Sequence, residues 1–118
     1  GENEYEIGKK ARMRTYNRIF EFLSKSNLNV LILGLNPVCD EKYNKDELEF
    51  YKKHNESTRK GLKLLCSEYN LPFLDPKEDI FKDKNLNELY EDGIHPNSKG
   101  YDIMFTKINE KLKELNYI

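Results

Sequence analysis

The chain has few cysteines and histidines, no long apolar run and almost no net charge, and each shortage excludes a class of protein. Cys39 and Cys66 lie far apart, without a Cys-x-x-Cys or a histidine pair, which excludes a zinc pattern or a disulfide framework. The longest apolar run, residues 30–33, is far short of the roughly 20 residues that span a membrane. The net charge is −1 and the basic residues are interspersed with acidic ones, so the chain has no basic face of the kind that binds nucleic acid.

The spacing of apolar residues indicates one α/β domain across the 118 residues. Residues 30–33 and 71–75 are short apolar runs without alternation, which is typical of parallel strands covered on both faces. Apolar residues recur at helical spacing elsewhere. We predict helices at residues 9–25, at 45–69 with a break near His54-Asn55, at 86–90, and from a cap at Asn97 or Ser98 to about Leu115.

Helices alternating with strands predict a parallel sheet between helical layers, which is a three-layer α/β/α fold. Two strands alone cannot form a stable sheet of this kind, because each leaves an edge of unpaired backbone groups. We therefore predict a partial domain over residues 1–118, incomplete at its N-terminal side. The missing strands would come from a preceding segment of a larger domain, from a partner chain, or from a second copy.

The segment Asp92-Gly93-Ile94-His95 is the best candidate for chemistry. Imidazole has an ordinary pKa near neutrality, and His95 is one of only two histidines. A carboxylate on its other ring nitrogen would fix the tautomer and stabilise the imidazolium. A surface turn followed by a capped helix is the structural alternative for Asp92 and His95.

Ligands of open α/β sheets bind beyond the carboxyl ends of the strands, where three segments of this chain are expected to meet. The first segment is Gly1-Glu2-Asn3-Glu4, in which Gly1 permits a tight turn and the Asn3 amide can donate to an oxyanion. The others are Leu35–Asp40 and the loop that leads from Phe73-Leu74 to His95. The shape of loops 36–47 and 76–91 would select the substrate. A disordered terminus is the structural alternative for the first.

Two groups of polar residues have a structural interpretation that the sequence favours. His54 follows two lysines on a charged helix, so we predict a solvated side chain. The acids Asp40-Glu41, Asp46-Glu47 and Asp75 have no regular ligand spacing and lie among lysines, which favours solvated charges over a metal site. We therefore predict no metal and no cofactor.

The cysteines and a group of aromatic residues complete the candidates. Cys66 falls on the apolar face of a helix and is predicted to be a core residue, whereas Cys39 lies in a loop as a candidate free thiol. Tyr43, Phe50 and Tyr51 either line an acyl or sugar pocket or pack the helix, and packing is the commoner role.

The run from Asp92 to Tyr101, with His95-Pro96 and a Gly-aromatic step, resembles the last conserved block of the SGNH (GDSL-type) esterases and acylhydrolases. Residues 1–4 are similar to that family's Gly-x-Asn-Asp block, with Glu4 in place of the final Asp. The resemblance implies a flavodoxin-like three-layer fold. It also implies that Asp92 and His95 are the acid and base of a catalytic triad, with Gly1 and Asn3 at the oxyanion turn.

The chain departs from the family pattern because it contains no Gly-Asp-Ser, the segment that carries the nucleophile. The resemblance therefore implies the C-terminal part of a serine esterase or acylhydrolase, inactive alone, acting on a small-molecule or carbohydrate ester. The alternative is a non-catalytic module that binds a glycan or a protein partner. A nucleotide-binding domain is disfavoured, because no Gly-rich loop follows a strand.

Overall fold

The structure is a computed structural model that describes residues 3–118. Its helices are α1 (Glu4–Ser24), α2 (Leu48–Tyr69), α3 (Leu86–Leu89) and α4 (Ser98–Glu114). Its strands are β1 (Ile32–Leu33) and β2 (Phe73–Leu74). A 3-10 turn at Asp40–Lys42 and a π-helical turn at Pro76–Ile80 follow the two strands. The order of the main helices and strands is the predicted one.

Helix α1 begins five residues before the predicted start at residue 9, because Asn3 caps it. The Asn3 Oδ1 accepts a hydrogen bond of 2.8 Å from the Glu6 N–H. This satisfies one of the backbone donors that a helix leaves free at its start. Glu4 and Glu6 lie in the first turn, where negative charge complements the helix dipole.

Helix α2 is continuous from Leu48 to Tyr69, so the predicted break near His54-Asn55 is wrong. The Asn55 side chain is buried and donates a 3.0 Å hydrogen bond to the Asn36 carbonyl. Because it is engaged with another segment, it does not compete for the backbone of its own helix. The predicted stop at Asn70 is confirmed, since this residue ends α2 in the left-handed conformation.

The predicted parallel pairing of two short strands is confirmed, with Ile32 opposite Phe73 and Leu33 opposite Leu74. Ile32 and Phe73 pack on a cluster of α1 and α2 side chains, whose buried members are Phe20, Leu62 and Cys66. The predicted core position of Cys66 is thus confirmed, and burial raises the pKa of its thiol to about 11.

Leu74 belongs to a second apolar cluster, built mainly from α4 and the segment before it. Its buried members are Cys39, Leu74, Ile80, Phe81, Tyr90 and Met104, and Leu31 packs against them. Successive side chains of a strand point to opposite faces, so the two clusters lie on the two faces of the sheet. Cys39 is a free thiol as predicted, and it is buried.

The segment after β2, which the sequence presents as a loop, begins with the π-helical turn Pro76–Ile80. Asp75 is not solvated as predicted but buried in an ion pair with Arg59, whose guanidinium also bonds Glu56 at 2.7 Å. The pKa of Glu56 falls to about 2, chiefly through its hydrogen bond from Arg59. A buried carboxylate needs such a partner, because leaving water is costly for an unpaired charge.

The two outer edges of the sheet differ. The Ile32 and Gly34 N–H groups donate to the Pro72 and Leu74 carbonyls at 3.0 and 2.9 Å, so the Leu33 N–H points away from β2. Within residues 3–118, nothing bonds the Leu33 N–H. At the outer edge of β2, the Asp75 N–H instead donates to Asp79 Oδ2 at 2.7 Å.

The described part of the chain is flat, with principal dimensions of 44, 43 and 18 Å. None of its helices combines the length and the apolar character that a membrane crossing requires.

Candidate functional site

The loop that carries Asp92 and His95 is closed at its base by a small antiparallel bridge between Tyr90 and Pro96. The Glu91 N–H donates to the His95 carbonyl at 2.8 Å. The loop is therefore a short excursion whose two ends are fixed, and it projects both side chains outward. The side chains of His95 and Asp92 are 58% and 53% exposed.

The Asp92 carboxylate organises the loop. Its Oδ1 accepts from the N–H groups of Ile94 at 2.8 Å and His95 at 2.7 Å, and its Oδ2 lies 2.8 Å from His95 Nδ1. The Ile94 N–H, the His95 ring and the His95 N–H together lower the pKa of Asp92 to about 2. Asp92 is thus ionised at neutral pH, and its carboxylate can accept a hydrogen bond from a protonated Nδ1 of His95.

This arrangement leaves the other ring nitrogen of His95 available. Within residues 3–118, no group forms a hydrogen bond with His95 Nε2. A carboxylate on Nδ1 stabilises the tautomer whose Nε2 carries a lone pair, which is the form that accepts a proton.

Asn97 joins the loop to α4 and is the predicted helix cap. Its Oδ1 accepts from the Gly100 N–H at 3.0 Å, and its Nδ2 donates to the Glu88 carbonyl at 2.9 Å. Gly100 needs to be glycine, because a Cβ there would meet the Leu89 carbonyl and lie 2.8 Å from Pro96 Cβ. The first turn of α4 can therefore close directly on the base of the loop.

Gly93, between Asp92 and His95, lies against Tyr43. A Cβ on Gly93 would lie 2.7 Å from the Tyr43 Cα, a distance that real Cβ atoms do not reach. The Gly93 carbonyl also accepts a 2.9 Å hydrogen bond from the Cys39 N–H. The glycine is required here for close approach to the segment that follows β1.

That segment, residues 39–43, is itself fixed to the start of α2. The Lys52 ammonium bonds Asp40 at 2.8 Å, and the ring of Tyr43 stacks on Tyr51 with centroids 4.8 Å apart and planes 19° apart. The Lys42 ammonium donates to the Tyr90 carbonyl at the base of the loop. The sequence did not predict these contacts. A glycine at position 93 indicates that another segment approaches the backbone there, but it does not identify that segment as the one with Tyr43.

Asn3 lies at the cap of α1, and Gly1 lies outside the described residues. Within the described part, no hydrogen bond joins Asn3 to Asp92 or His95. The cap uses Asn3 Oδ1 as an acceptor, which leaves its Nδ2 free to donate elsewhere. The structure thus brings Asp92 and His95 together, while Asn3 lies on a different element.

A run of aromatic contacts connects the start of α1 with the loop that carries Asp92 and His95. Tyr5, in the first turn of α1, packs on His54 of α2 with ring centroids 5.1 Å apart. His54 lies 6.3 Å from Tyr51, which stacks on Tyr43 beside the loop. The commoner role predicted for Tyr43 and Tyr51, packing the helix, therefore agrees with these contacts.

His54 is half-buried in this run, so the prediction of a solvated side chain is wrong. Its Nδ1 is buried without a hydrogen-bond partner in the described part. Burial lowers the pKa of His54, and the nearby charges of Arg12 and Lys9 lower it further. The lysines next to it in the sequence gave no signal of the tyrosines that cover it.

A cavity of about 400 Å³ lies between α2 and the two loops that the sequence links to substrate selection. Pro37 and Asp40 come from the first loop, Phe81 and Lys84 from the second, and Asn55 from α2. Asp92 and His95 do not line it. Within residues 3–118, no group of three histidines, cysteines or acids is placed to hold a metal ion.

The fold and the site together define an α/β protein with an exposed Asp–His pair in the loop before its last helix. The sequence model of the GDSL-like Lipase/Acylhydrolase family matches residues 10–108, which is most of the chain. The chain therefore belongs to this family, and the resemblance carried by Asp92–Tyr101 is confirmed. The matched stretch contains Asp92 and His95 but not Asn3. No curated protein matches the chain.

Proposed function

We propose that this chain is the C-terminal part of a serine esterase or acylhydrolase and carries the acid and base of its triad. The observation that carries the proposal is the 2.8 Å contact between Asp92 Oδ2 and His95 Nδ1, with His95 Nε2 unbonded within the described part. Family membership supplies the reaction class, which is ester hydrolysis.

In the proposed mechanism, His95 Nε2 takes the proton of a serine hydroxyl as the serine oxygen attacks the ester carbonyl. The Asn3 amide donates to the oxyanion, and Asp92 stabilises the imidazolium. His95 then gives the proton to the leaving alcohol. In the second step His95 takes a proton from water, which attacks the acyl-enzyme, and returns it to the serine oxygen as the acid leaves. The substrate is a small-molecule or carbohydrate ester, selected by the loops around the cavity.

The serine must come from outside these residues, because the chain has no Gly-Asp-Ser. Its five serines lie on helices or at their ends; they are Ser24, Ser26, Ser57, Ser67 and Ser98. The free edge of β1 is the proposed place where the missing part of the sheet pairs. At the opposite edge, the outward N–H of Asp75 is already bonded to Asp79 Oδ2.

Crossover handedness supports a strand before α1 as the occupant of that edge. Helices α1 and α2 pack on the same face of the sheet, since both contribute to the cluster around Ile32 and Phe73. Crossovers between parallel strands are right-handed. A strand leading into α1 therefore lies on the side of β1 opposite β2, which extends the sheet into a flavodoxin-like three-layer fold.

Proline substitution tests the free edge in the 118-residue chain itself. Leu33→Pro removes an N–H that bonds nothing within residues 3–118, so we expect unfolding stability to differ from that of Leu33→Ala by less than about 1 kcal/mol. Ile32→Pro is the control, compared with Ile32→Ala so that the loss of its packed side chain is subtracted. It removes the donor to Pro72 and is expected to cost at least about 2 kcal/mol. Thermal or urea unfolding of both variants measures this, and equal losses would contradict the free edge.

Two substitutions at Asn3 separate its cap from its proposed oxyanion role. Asn3→Asp keeps an oxygen for the Glu6 N–H but loses the Nδ2 donor. We expect unchanged helix stability and about a hundred-fold lower kcat in the serine-containing protein. Asn3→Ala loses both groups and also costs about 1 kcal/mol of stability. If Asn3→Asp retains full kcat, Asn3 is a cap and not a donor.

Hydrolysis of p-nitrophenyl acetate tests the function. We expect background rates from the 118-residue chain, and turnover when a Gly-Asp-Ser segment is present in the same polypeptide or in a second chain. Sedimentation distinguishes these sources, since a folded monomer that acts alone excludes a partner chain. A serine-containing protein that folds but does not turn over ester would favour the alternative, a module that binds a glycan or a protein.

A further inference from the structure

The Asp92–His95 pair fixes its own internal geometry but not its place in the protein. In the described part of the chain, the three hydrogen bonds to the Asp92 carboxylate come from Ile94 and His95, within the same loop. Both side chains of the pair are more than half exposed. The position of the imidazole relative to other elements therefore depends on what holds the loop backbone.

Gly93 is the point in the middle of the loop where another segment holds that backbone. Its carbonyl accepts from the Cys39 N–H at 2.9 Å, and its Cα is so close to Tyr43 that no Cβ would fit. The Tyr43 ring stacks on Tyr51, with centroids 4.8 Å apart. The side chain of Tyr43 thus links the loop to Tyr51 of α2.

From Tyr51 the contacts continue along α2 to α1. His54 lies one turn further on, 6.3 Å from the Tyr51 ring, and 5.1 Å from Tyr5. Tyr5 lies two residues after the Asn3 cap, in the first turn of α1. The four side chains of this run are half-buried, and rings in contact restrict one another's displacement.

On the basis of the proposed function, we propose that Tyr43 is a positioning residue for the Asp92–His95 pair. Through its stack on Tyr51, it holds the pair at a fixed distance from the start of α1, where Asn3 lies. Such a constraint matters because a displacement of about 1 Å between catalytic groups can cost about a hundred-fold in rate.

Hydrogen exchange and proton NMR of the 118-residue chain test this without a nucleophile. The readout is the Cys39 amide, because its N–H donates to the Gly93 carbonyl and joins the loop to residues 39–43. Tyr43→Ala is expected to raise its exchange rate about tenfold, whereas amides inside α4 stay unchanged. Tyr43→Phe keeps the ring and is expected to match the wild type. Wild-type exchange in a folded Tyr43→Ala variant would overturn the proposal.

Tyr51→Ala removes the partner of the stack without touching the loop. We expect faster exchange of the Cys39 amide, in the same direction as for Tyr43→Ala. Phe105→Ala is the control, because this aromatic side chain is 74% exposed on α4. If Tyr51→Ala leaves the exchange of the Cys39 amide unchanged, the link between the pair and α2 is wrong.

The serine-containing protein then separates the two proposals. With Tyr43→Ala we expect kcat to fall about a hundred-fold while KM changes little, because the ground state is still bound. Should His95→Ala leave turnover intact, the proposed function fails even if Tyr43→Ala loosens the loop. Should His95 prove essential while Tyr43→Ala keeps full kcat, the positioning role alone fails.

Discussion

Replacing His95 with alanine is expected to abolish ester hydrolysis by the serine-containing protein, with a loss of kcat on the order of a million-fold. The imidazole is the only group in the proposed mechanism that moves protons, both from the serine and to the leaving alcohol. Without it the serine stays a weak nucleophile. Hydrolysis of p-nitrophenyl acetate measures the loss.

The fold is expected to survive this substitution, because the His95 side chain is largely exposed and, among residues 3–118, bonds only Asp92. Unfolding stability of the variant should therefore lie within about 0.5 kcal/mol of wild type. Lys99→Ala, an exposed change in the first turn of α4, is the control for nonspecific effects on this region. Unchanged turnover in a folded His95→Ala variant would remove His95 from the mechanism.

Asp92→Asn is expected to lower kcat by about ten thousand-fold while leaving the loop folded. An asparagine can still offer one oxygen to the Ile94 and His95 N–H groups, which bond a single carboxylate oxygen in the structure. Its NH₂ would then face His95 Nδ1 as a donor. This would force the ring proton onto Nε2, which could no longer accept the serine proton.

Nitrogen NMR of the 118-residue chain measures this tautomer directly. We expect the proton on Nδ1 in the wild type and on Nε2 in Asp92→Asn, with Asp102→Asn, an exposed acid on α4, as the matched control. A wild type with its neutral ring protonated on Nε2 would contradict the proposed role of Asp92. The measurement needs no nucleophile, so it tests the pair independently of the source of the serine.

These two substitutions also address the alternative of a binding module. Family membership does not by itself decide the question, because the Gly-Asp-Ser segment is absent from the 118 residues. If both variants leave turnover unchanged in the serine-containing protein, the pair serves binding or structure.

The Asp92–His95 pair could be predicted because its geometry is local. The two residues are separated by Gly93 and Ile94, so one tight turn is enough to bring Oδ2 and Nδ1 together. The start of α4 could be predicted from Asn97 for the same reason, since a helix cap bonds residues close to it in the chain. The parallel strands followed from apolar runs that need cover on both faces.

Positions that depend on distant segments were predicted incorrectly or not at all. The break near His54-Asn55 was expected from polar residues, but Asn55 bonds Asn36 from another element. The prediction that Asp75 is solvated was wrong, because its partner Arg59 lies on α2 and is not adjacent in sequence. The neighbour of Gly93 was not identified, since Tyr43 reaches it only after the fold forms.

The sequence by itself determined the alternation of helices and strands, the Asp–His pair and its turn, and the absence of a Gly-Asp-Ser. Each of these depends on residues close together in the chain. The tertiary structure alone decided which edge of the sheet stays free, what covers His54 and Asp75, and how the loop contacts α2. Those features arise from packing between distant segments, where burial and backbone pairing outweigh local preference.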